Sequence, residues 1–338
     1  MTAIHLLRVF DLHQSIGKGQ LFECDSEITL RGLMMKHCVY IHTNHKQIVG
    51  AYVAERSLRR YSKHNDKFDV KFIQLKDHPF FSDYEDKIYL RDSMKRPWYN
   101  NDLQSFTPLR FMPPELMNYE GRSVVIDPDI FAVSDVWDLL DRNMQGKAIM
   151  CRPRGGTKGR RDKCLASSVM LLDNSKLTHW KVEENFKEMF AFKRDYMDWI
   201  CLKLEDRESI DFFENEWNDF DKLTTETRLL HTTHRKTQPW KTGLPVDFRP
   251  REKYPYFPPL AWLMKARRKY IGEYAMLGHY KQHPDINQQN LFFGLLKECI
   301  DEGTVTEDMI REQMAQNHVR HDAFEVLDKT PPLEPVAA

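Results

Sequence analysis

The stretch Arg122-Ser123-Val124-Val125-Ile126 runs directly into Asp127-Pro128-Asp129, and this junction limits the possible folds more than any other segment. Apolar residues at consecutive positions suit a strand buried on both faces, as in the centre of an α/β sheet. Two carboxylates follow at once, so the C-terminal end of that strand carries charge that a core cannot accept. In open α/β sheets this edge is where loops converge and ligands bind. Upstream, the apolar run Cys38–Ile41 precedes a helical spacing of Ala51, Ala54, Leu58 and Tyr61, and then Val70–Leu75. That order predicts strand, helix and strand, the βαβ unit of a parallel sheet.

Further strands are expected at Ala148–Cys151 and Ser168–Leu172. Leu103–Met117 reads as a helix interrupted at Pro113-Pro114. Between the two later strands, the Gly-rich basic segment from Arg152 to Lys163 reads as a solvated connection, with a substrate-facing lid as the alternative. Residues 1–35 lack periodicity and read as an N-terminal extension. A Pro-rich stretch from Pro239 to Pro259 leads into a helical C-terminal region, 251–338. There Leu260, Leu263, Tyr270, Ile271, Tyr274 and Leu277 mark one apolar face beside Lys265, Arg267, Arg268 and Lys269. Such a helix packs on the domain under the stems of its basic residues or rests on a membrane surface, and packing is the expectation.

Fifty Lys and Arg balance fifty Asp and Glu in the 338 residues. No global charge draws the chain to nucleic acid or to an anionic membrane, so partners have to be argued from sites. The six cysteines are scattered without a C-x-x-C pair or zinc spacing, which reads as a reduced, cytoplasmic chain. Met1–Leu6 reads as lacking a basic leader, and no apolar run approaches the ~18–20 residues that cross a bilayer.

Pro128 stiffens the turn between Asp127 and Asp129, and two hard oxygen donors so placed suit Mg²⁺ or Mn²⁺. About a hundred residues later, Leu229-Leu230-His231 offers an imidazole after an apolar pair. The basic and amide groups that follow it, up to Gln238-Pro239-Trp240, suit phosphate oxygens.

In this order the segments resemble the retaining family 8 glycosyltransferases, which have the GT-A fold and include glycogenin and bacterial galactosyltransferases. The resemblance covers roughly residues 37–248. It rests on Val39–Asn44, on Phe106–Phe111 with Pro113–Leu116 and Tyr119–Asp129, on Ala166–Asp173, on Glu216-Trp217-Asn218, and on His231 through Pro239-Trp240. It implies an α/β, Rossmann-like domain with a mixed central sheet over 36–250. The implied activity is transfer of a sugar, with retention, from a nucleoside-diphosphate sugar (a UDP-sugar is expected) to an acceptor hydroxyl on a glycan, lipid-linked or small molecule.

Carried over by position, Asp127, Asp129 and His231 are the implied ligands of Mn²⁺ or Mg²⁺. His42, Thr43 and Asn44 are the implied contacts of the base, Ser167 and Ser168 of the sugar, and Arg110 of the diphosphate or donor sugar, with a catalytic role in offsetting the leaving group's charge. Arg235, Lys236 and Gln238 are candidates for the phosphate, and Asp198 for a catalytic role on the donor side. The chain departs from the family at His42-Thr43, where an acidic residue is usual, and at Ala166-Ser167-Ser168, which stands for Asn-Ser-Gly. The base and the sugar are therefore not transferred. Two other readings stay open: a nucleotide-sugar-binding protein without turnover, and a metal-dependent phosphohydrolase using Asp127, Asp129, His231 and His234. Peripheral contact with the inner face of a membrane is a further expectation, since bacterial relatives often work on lipid-linked acceptors.

Overall fold

A computed structural model of the chain describes residues 36–154, 164–248, 258–272, 274 and 276–336. The N-terminal extension, 155–163 of the basic segment and 249–257 of the Pro-rich stretch lie outside the described residues. The chain enters through β1 (His37–Thr43), α1 (Ile48–Tyr61) and β2 (Asp69–Gln74), then forms a hairpin of β3 (Ile88–Arg91) and β4 (Met94–Pro97). β5 (Arg122–Ile126) and β6 (Ile130–Ala132) flank Asp127-Pro128-Asp129. β7 (Ile149–Pro153), β8 (Leu165–Asp173), α2 (Val182–Phe190), α3 (Tyr196–Ile200), β9 (Ile210–Phe212), β10 (Asp219–Phe220) and β11 (Leu229–His231) follow. The C-terminal helices are α4 (Pro258–Ile271), α5 (Ile286–Asp301), α6 (Glu307–Ala315) and α7 (Ala323–Lys329).

Six strands build the main sheet in the order β2-β1-β5-β8-β7-β9. β2, β1 and β5 run parallel, as the βαβ reading requires, whereas β8 is antiparallel to both β5 and β7, so the sheet is mixed. Val39, Ile41, Val124, Val125, Ile126 and Val169 to Leu172 are all buried, which is why the central strands read as unbroken apolar runs. A second sheet, β10-β11-β6, stands at the C-terminal edge of β5.

Helix α1 turns Val49, Ala51, Ala54 and Leu58 into the core. Gly50 is needed where this helix meets the Asp-Pro-Asp turn: a side-chain carbon there would lie 2.6 Å from the Pro128 carbonyl oxygen. Helix α5 packs against α1, where Arg56 pairs with Glu298 at 2.8 Å, and joins the same core, its Phe292 stacked on Trp240 at 4.6 Å and packed edge-on to Phe131.

Three expectations are corrected. Leu103–Met117 is a 3₁₀ turn at Thr107–Phe111 and a single helical turn at Pro113–Leu116. Pro108, Pro113 and Pro114 have no N–H to continue an α-helix. The cysteines are not all reduced, because Cys164 and Cys201, 37 residues apart in sequence, are joined as a disulfide. Sequence spacing gave no hint of this, since β8 and the end of α3 meet only in the folded chain. Finally, α4 does not bury its apolar face: Leu263, Tyr270 and Ile271 are 64%, 76% and 62% exposed. The side chains of Leu260, Lys265, Arg268 and Lys269 lie outside the described residues. No described helix is long and apolar enough to cross a membrane.

Candidate functional site

Asp127 is the first residue beyond β5, and its N–H donates to the Ser168 carbonyl on β8 at 3.1 Å. Three residues on, Ile130 opens β6 and pairs with His231 at the end of β11. The Asp129 carbonyl accepts the Thr232 N–H, also at 3.1 Å. This register brings His231 to the two aspartates across a hundred residues of chain. His231 Nε2 lies 3.5 Å from Asp129 Oδ1. Its Nδ1 is 2.8 Å from the side-chain oxygen of Asn218, whose amide donates to Ser168 Oγ at 3.0 Å. A proton held on Nδ1 by Asn218 leaves Nε2 with its lone pair toward the aspartates, as a metal ligand requires.

The two carboxylates are in unlike settings. One guanidinium nitrogen of Arg110 donates to Asp127 at 2.7 and 3.0 Å, and the other donates to Ser167 Oγ at 2.7 Å. Fully buried His42 places Nε2 2.9 Å from Asp127 Oδ1. Burial opposes ionisation of Asp127, but the Arg110 charge and then His42 outweigh it and hold the carboxyl below its ordinary range. Asp129 accepts a hydrogen bond from the Gln238 amide at 3.0 Å. Burial first, and then the charge of Asp127, push its pKa up to about 8. Burial pulls His231 down to about 4, which keeps the imidazole neutral.

One oxygen from each aspartate and one nitrogen of His231 lie within 4.8 Å of one another. The set fits a divalent cation. Two hard oxygens and a neutral imidazole are suitable donors, and a buried carboxylate that resists ionising beside its neighbour is relieved by a cation between them.

These groups border a cavity that is also lined by Arg110, Ser167 and Ser168. The Cys164–Cys201 disulfide ties the start of the serine-bearing strand to the end of α3, whose Tyr196, Met197 and Ile200 form part of the wall. Other predicted positions are engaged elsewhere. Asn44 spends its amide on Asp102, Leu103 and Ser105, and Thr43 donates to the Asn44 carbonyl. Lys236 reaches the Leu277 carbonyl at 3.3 Å. Asp198 pairs with Lys203 at 2.5 Å and does not line the cavity. His234 is exposed, 3.9 Å from Asp221.

Sequence reasoning missed two features. Asn218 was visible only as part of a Trp-Asn pair, with no sign that it orients His231. Arg91 and Arg96 also line the cavity and carried no motif, whereas Arg154 and Arg235, which line it too, belong to the basic segment and to the basic groups that follow His231. The turn residues Asp92-Ser93 between two short strands were the available signal for the hairpin that carries Arg91 and Arg96.

No protein-family model matches the chain, and no curated protein sequence matches it. Among solved structures, it is similar to the WbbM bifunctional glycosyltransferase, with 12% identity, a TM-score of 0.43, and coverage of 62% of this chain and 47% of that one. It is similar to the glycosyltransferase GlyE of Streptococcus pneumoniae TIGR4, with 13% identity, a TM-score of 0.44, and coverage of 80% and 64%. It is also similar to the galactosyltransferase LgtC solved with donor and acceptor sugar analogs, with 11% identity, a TM-score of 0.42, and coverage of 60% and 89%. The chain thus spans less than two thirds of WbbM and GlyE.

Proposed function

We propose that this chain is a divalent-metal-dependent glycosyltransferase of the GT-A type that takes a nucleoside-diphosphate sugar, a UDP-sugar in the first instance, and passes the sugar to an acceptor hydroxyl with retention. The observation that carries the reading is the Asp127, Asp129 and His231 cluster at the mouth of an arginine-lined cavity on the C-terminal edge of β5. A cation held by these three groups would bind the diphosphate and offset the charge of the leaving nucleoside diphosphate. Asn218 fixes the tautomer of His231, and Gln238 holds Asp129 from the far side. Arg110 bridges Asp127 to Ser167, so the metal side and the sugar side of the site move as one unit. Asp198 is left out of the proposal, because its carboxylate is spent on Lys203 away from the cavity.

A thermal-shift panel of UDP, GDP and ADP, each with Mn²⁺, Mg²⁺ or EDTA, tests the reading on the native chain and on Asp129→Ala. Stabilisation by one nucleoside diphosphate that disappears with EDTA and with the substitution is the expected result, at about 2.7 kcal/mol for a hundredfold excess over Kd. No stabilisation by any of the three defeats the proposal.

Peripheral membrane contact is supported by α4, where Trp262 is 80% exposed beside Leu263, Tyr270 and Ile271. Aromatic and apolar side chains next to basic ones suit the headgroup region of a bilayer. Trp262→Ser with Ile271→Ser is expected to abolish co-sedimentation with anionic vesicles; binding unchanged by the pair would remove this part of the reading.

A further inference from the structure

β1 and β5 run parallel with Ile41 opposite Ile126, and the next residues along the two strands are His42 and Asp127. Residues opposite one another in neighbouring strands turn their side chains to the same face of a sheet. The register therefore sets an imidazole beside the first carboxylate of the Asp-Pro-Asp turn. The contact is made: His42 Nε2 is 2.9 Å from Asp127 Oδ1, and the ring is fully buried against Phe106, with ring centres 5.3 Å apart. A ring nitrogen that turned its lone pair on a carboxylate oxygen at this distance would be repelled, so Nε2 carries the proton.

This placement accounts for the residue type. An acidic residue is usual here in the family that the chain resembles, yet an acid at position 42 would set one carboxylate directly against another, which is destabilising. A nitrogen donor is what the position accepts. It is also withdrawn from any nucleoside base: His42 and Thr43 are 0% exposed and Asn44 3%. None of the three lines the cavity that Asp127 and Asp129 border.

Arg110 reaches the same carboxylate through one nitrogen, at 2.7 Å to Oδ1 and 3.0 Å to Oδ2. Oδ1 thus meets two donors and Oδ2 one. With about two lone-pair sites on each oxygen, the two residues together leave Asp127 a lone pair on Oδ2. Arg110 alone contacts the carboxylate from a single nitrogen, about which the group can still tilt; His42 supplies the second point that fixes its plane.

We propose that His42 is a positioning residue for the divalent cation: with Arg110, its Nε2–H holds Asp127 so that one oxygen is presented to the ion, and this side chain does not read the base. The proposal rests on the metal-dependent reading above. Asn218 stands in the same relation to His231, and Gln238 to Asp129, so each of the three candidate ligands has a buried outer partner.

The test is Mn²⁺ titration of the full chain without nucleotide, followed by electron paramagnetic resonance, on native protein, His42→Leu and His42→Gln. The ratio of UDP to ADP affinity at saturating Mn²⁺ is the second readout. Glutamine offers an amide N–H at about the reach of Nε2, and leucine offers none. His42→Leu is expected to weaken Mn²⁺ binding tenfold or more, as for loss of a ligand's outer partner, with His42→Gln within about threefold of native. The UDP-to-ADP ratio is expected to stay within about twofold in both. An unchanged Mn²⁺ affinity in His42→Leu overturns the proposal, and a changed nucleotide ratio beside it returns His42 to the base. Equal losses in the two variants also overturn it, because the ring then acts by packing and not through its N–H. Should His42→Leu fail to fold, His42→Asn, whose amide is too short to reach Asp127, takes its place with the same loss expected. A native chain that binds Mn²⁺ but neither nucleotide defeats the donor reading and leaves the first readout to decide this one. A native chain that binds no Mn²⁺ defeats the metal reading, and this proposal with it.

Discussion

Asn218 holds His231 by its Nδ1 at 2.8 Å, and through that one hydrogen bond it decides which ring nitrogen faces Asp129. Neither residue chooses the tautomer alone, since a neutral imidazole can carry its proton on either nitrogen. Removing an outer partner of a ligating histidine typically costs 10–100-fold in metal affinity. Asn218→Ala is expected to weaken Mn²⁺ binding within that range while the fold persists. Titration of Mn²⁺ followed by electron paramagnetic resonance measures it, and an unchanged affinity would remove Asn218 from the site.

Gly50 bears on the same turn from the other side. Because a side-chain carbon at 50 would meet the Pro128 carbonyl oxygen at 2.6 Å, Gly50→Ala has to push either α1 or the Asp-Pro-Asp turn. Overpacking of this kind costs about 1–3 kcal/mol, which urea denaturation reads directly. Metal affinity is expected to fall as well, since the displaced backbone carries two of the three candidate ligands.

Arg110 is the only described side chain that bonds both Asp127 and Ser167. Arg110→Lys keeps the charge but cannot fork to both. The expected outcome is a nucleotide-sugar affinity reduced tenfold or more with Mn²⁺ affinity changed less. Parallel losses of both would mean that Arg110 acts by holding Asp127 alone.

Reduction has a specific cost. The Cys164–Cys201 bridge spans 37 residues, and a loop of that size is worth about 2–4 kcal/mol in the unfolded chain. Urea curves with and without dithiothreitol should separate by that amount, and the separation should vanish in Cys164→Ser/Cys201→Ser. Thiol titration in denaturant should find two more thiols after reduction than before.

Acid weakens a different part of the molecule. Lys241 is fully buried and pairs with Asp247 at 3.0 Å, while the Tyr280 hydroxyl donates to the same carboxylate at 2.6 Å. Burial raises Asp247, but Lys241 and then Lys46 outweigh it and keep its carboxyl below the ordinary range. A depressed folded-state pKa contributes stability that is present above the unfolded value of about 3.9 and is lost as pH falls below it. Asp247→Asn strands the Lys241 charge and is expected to cost about 3–5 kcal/mol at neutral pH. Its urea midpoint should also depend less on pH between about 5 and 3 than that of the native chain, and an equal dependence would assign the acid loss to other groups.

The strands were legible because burial on both faces leaves an unbroken apolar run, as in Val124–Ile126 and Val169–Leu172. The position of Asp127 was legible for the same reason: charge that follows such a run has to emerge at the strand's end. What the sequence could not determine were relations made by register and packing. The pairing of β6 with β11 brings His231 to Asp129, and Asn218 then selects its nitrogen. The Asp195 carboxylate accepts the Asp92 and Ser93 N–H groups and so clamps the β3–β4 hairpin, whose Arg91 and Arg96 no local motif connects to the aspartates. The meeting of Cys164 with Cys201 overturned the reduced-thiol reading, and the exposure of α4 overturned the expectation that its apolar face packs. Local sequence thus determined the central strands and where charge leaves the core, because those depend on neighbours a few residues away. Only the tertiary structure decided which distant side chains share one cavity, because that depends on how the sheet edges close around it.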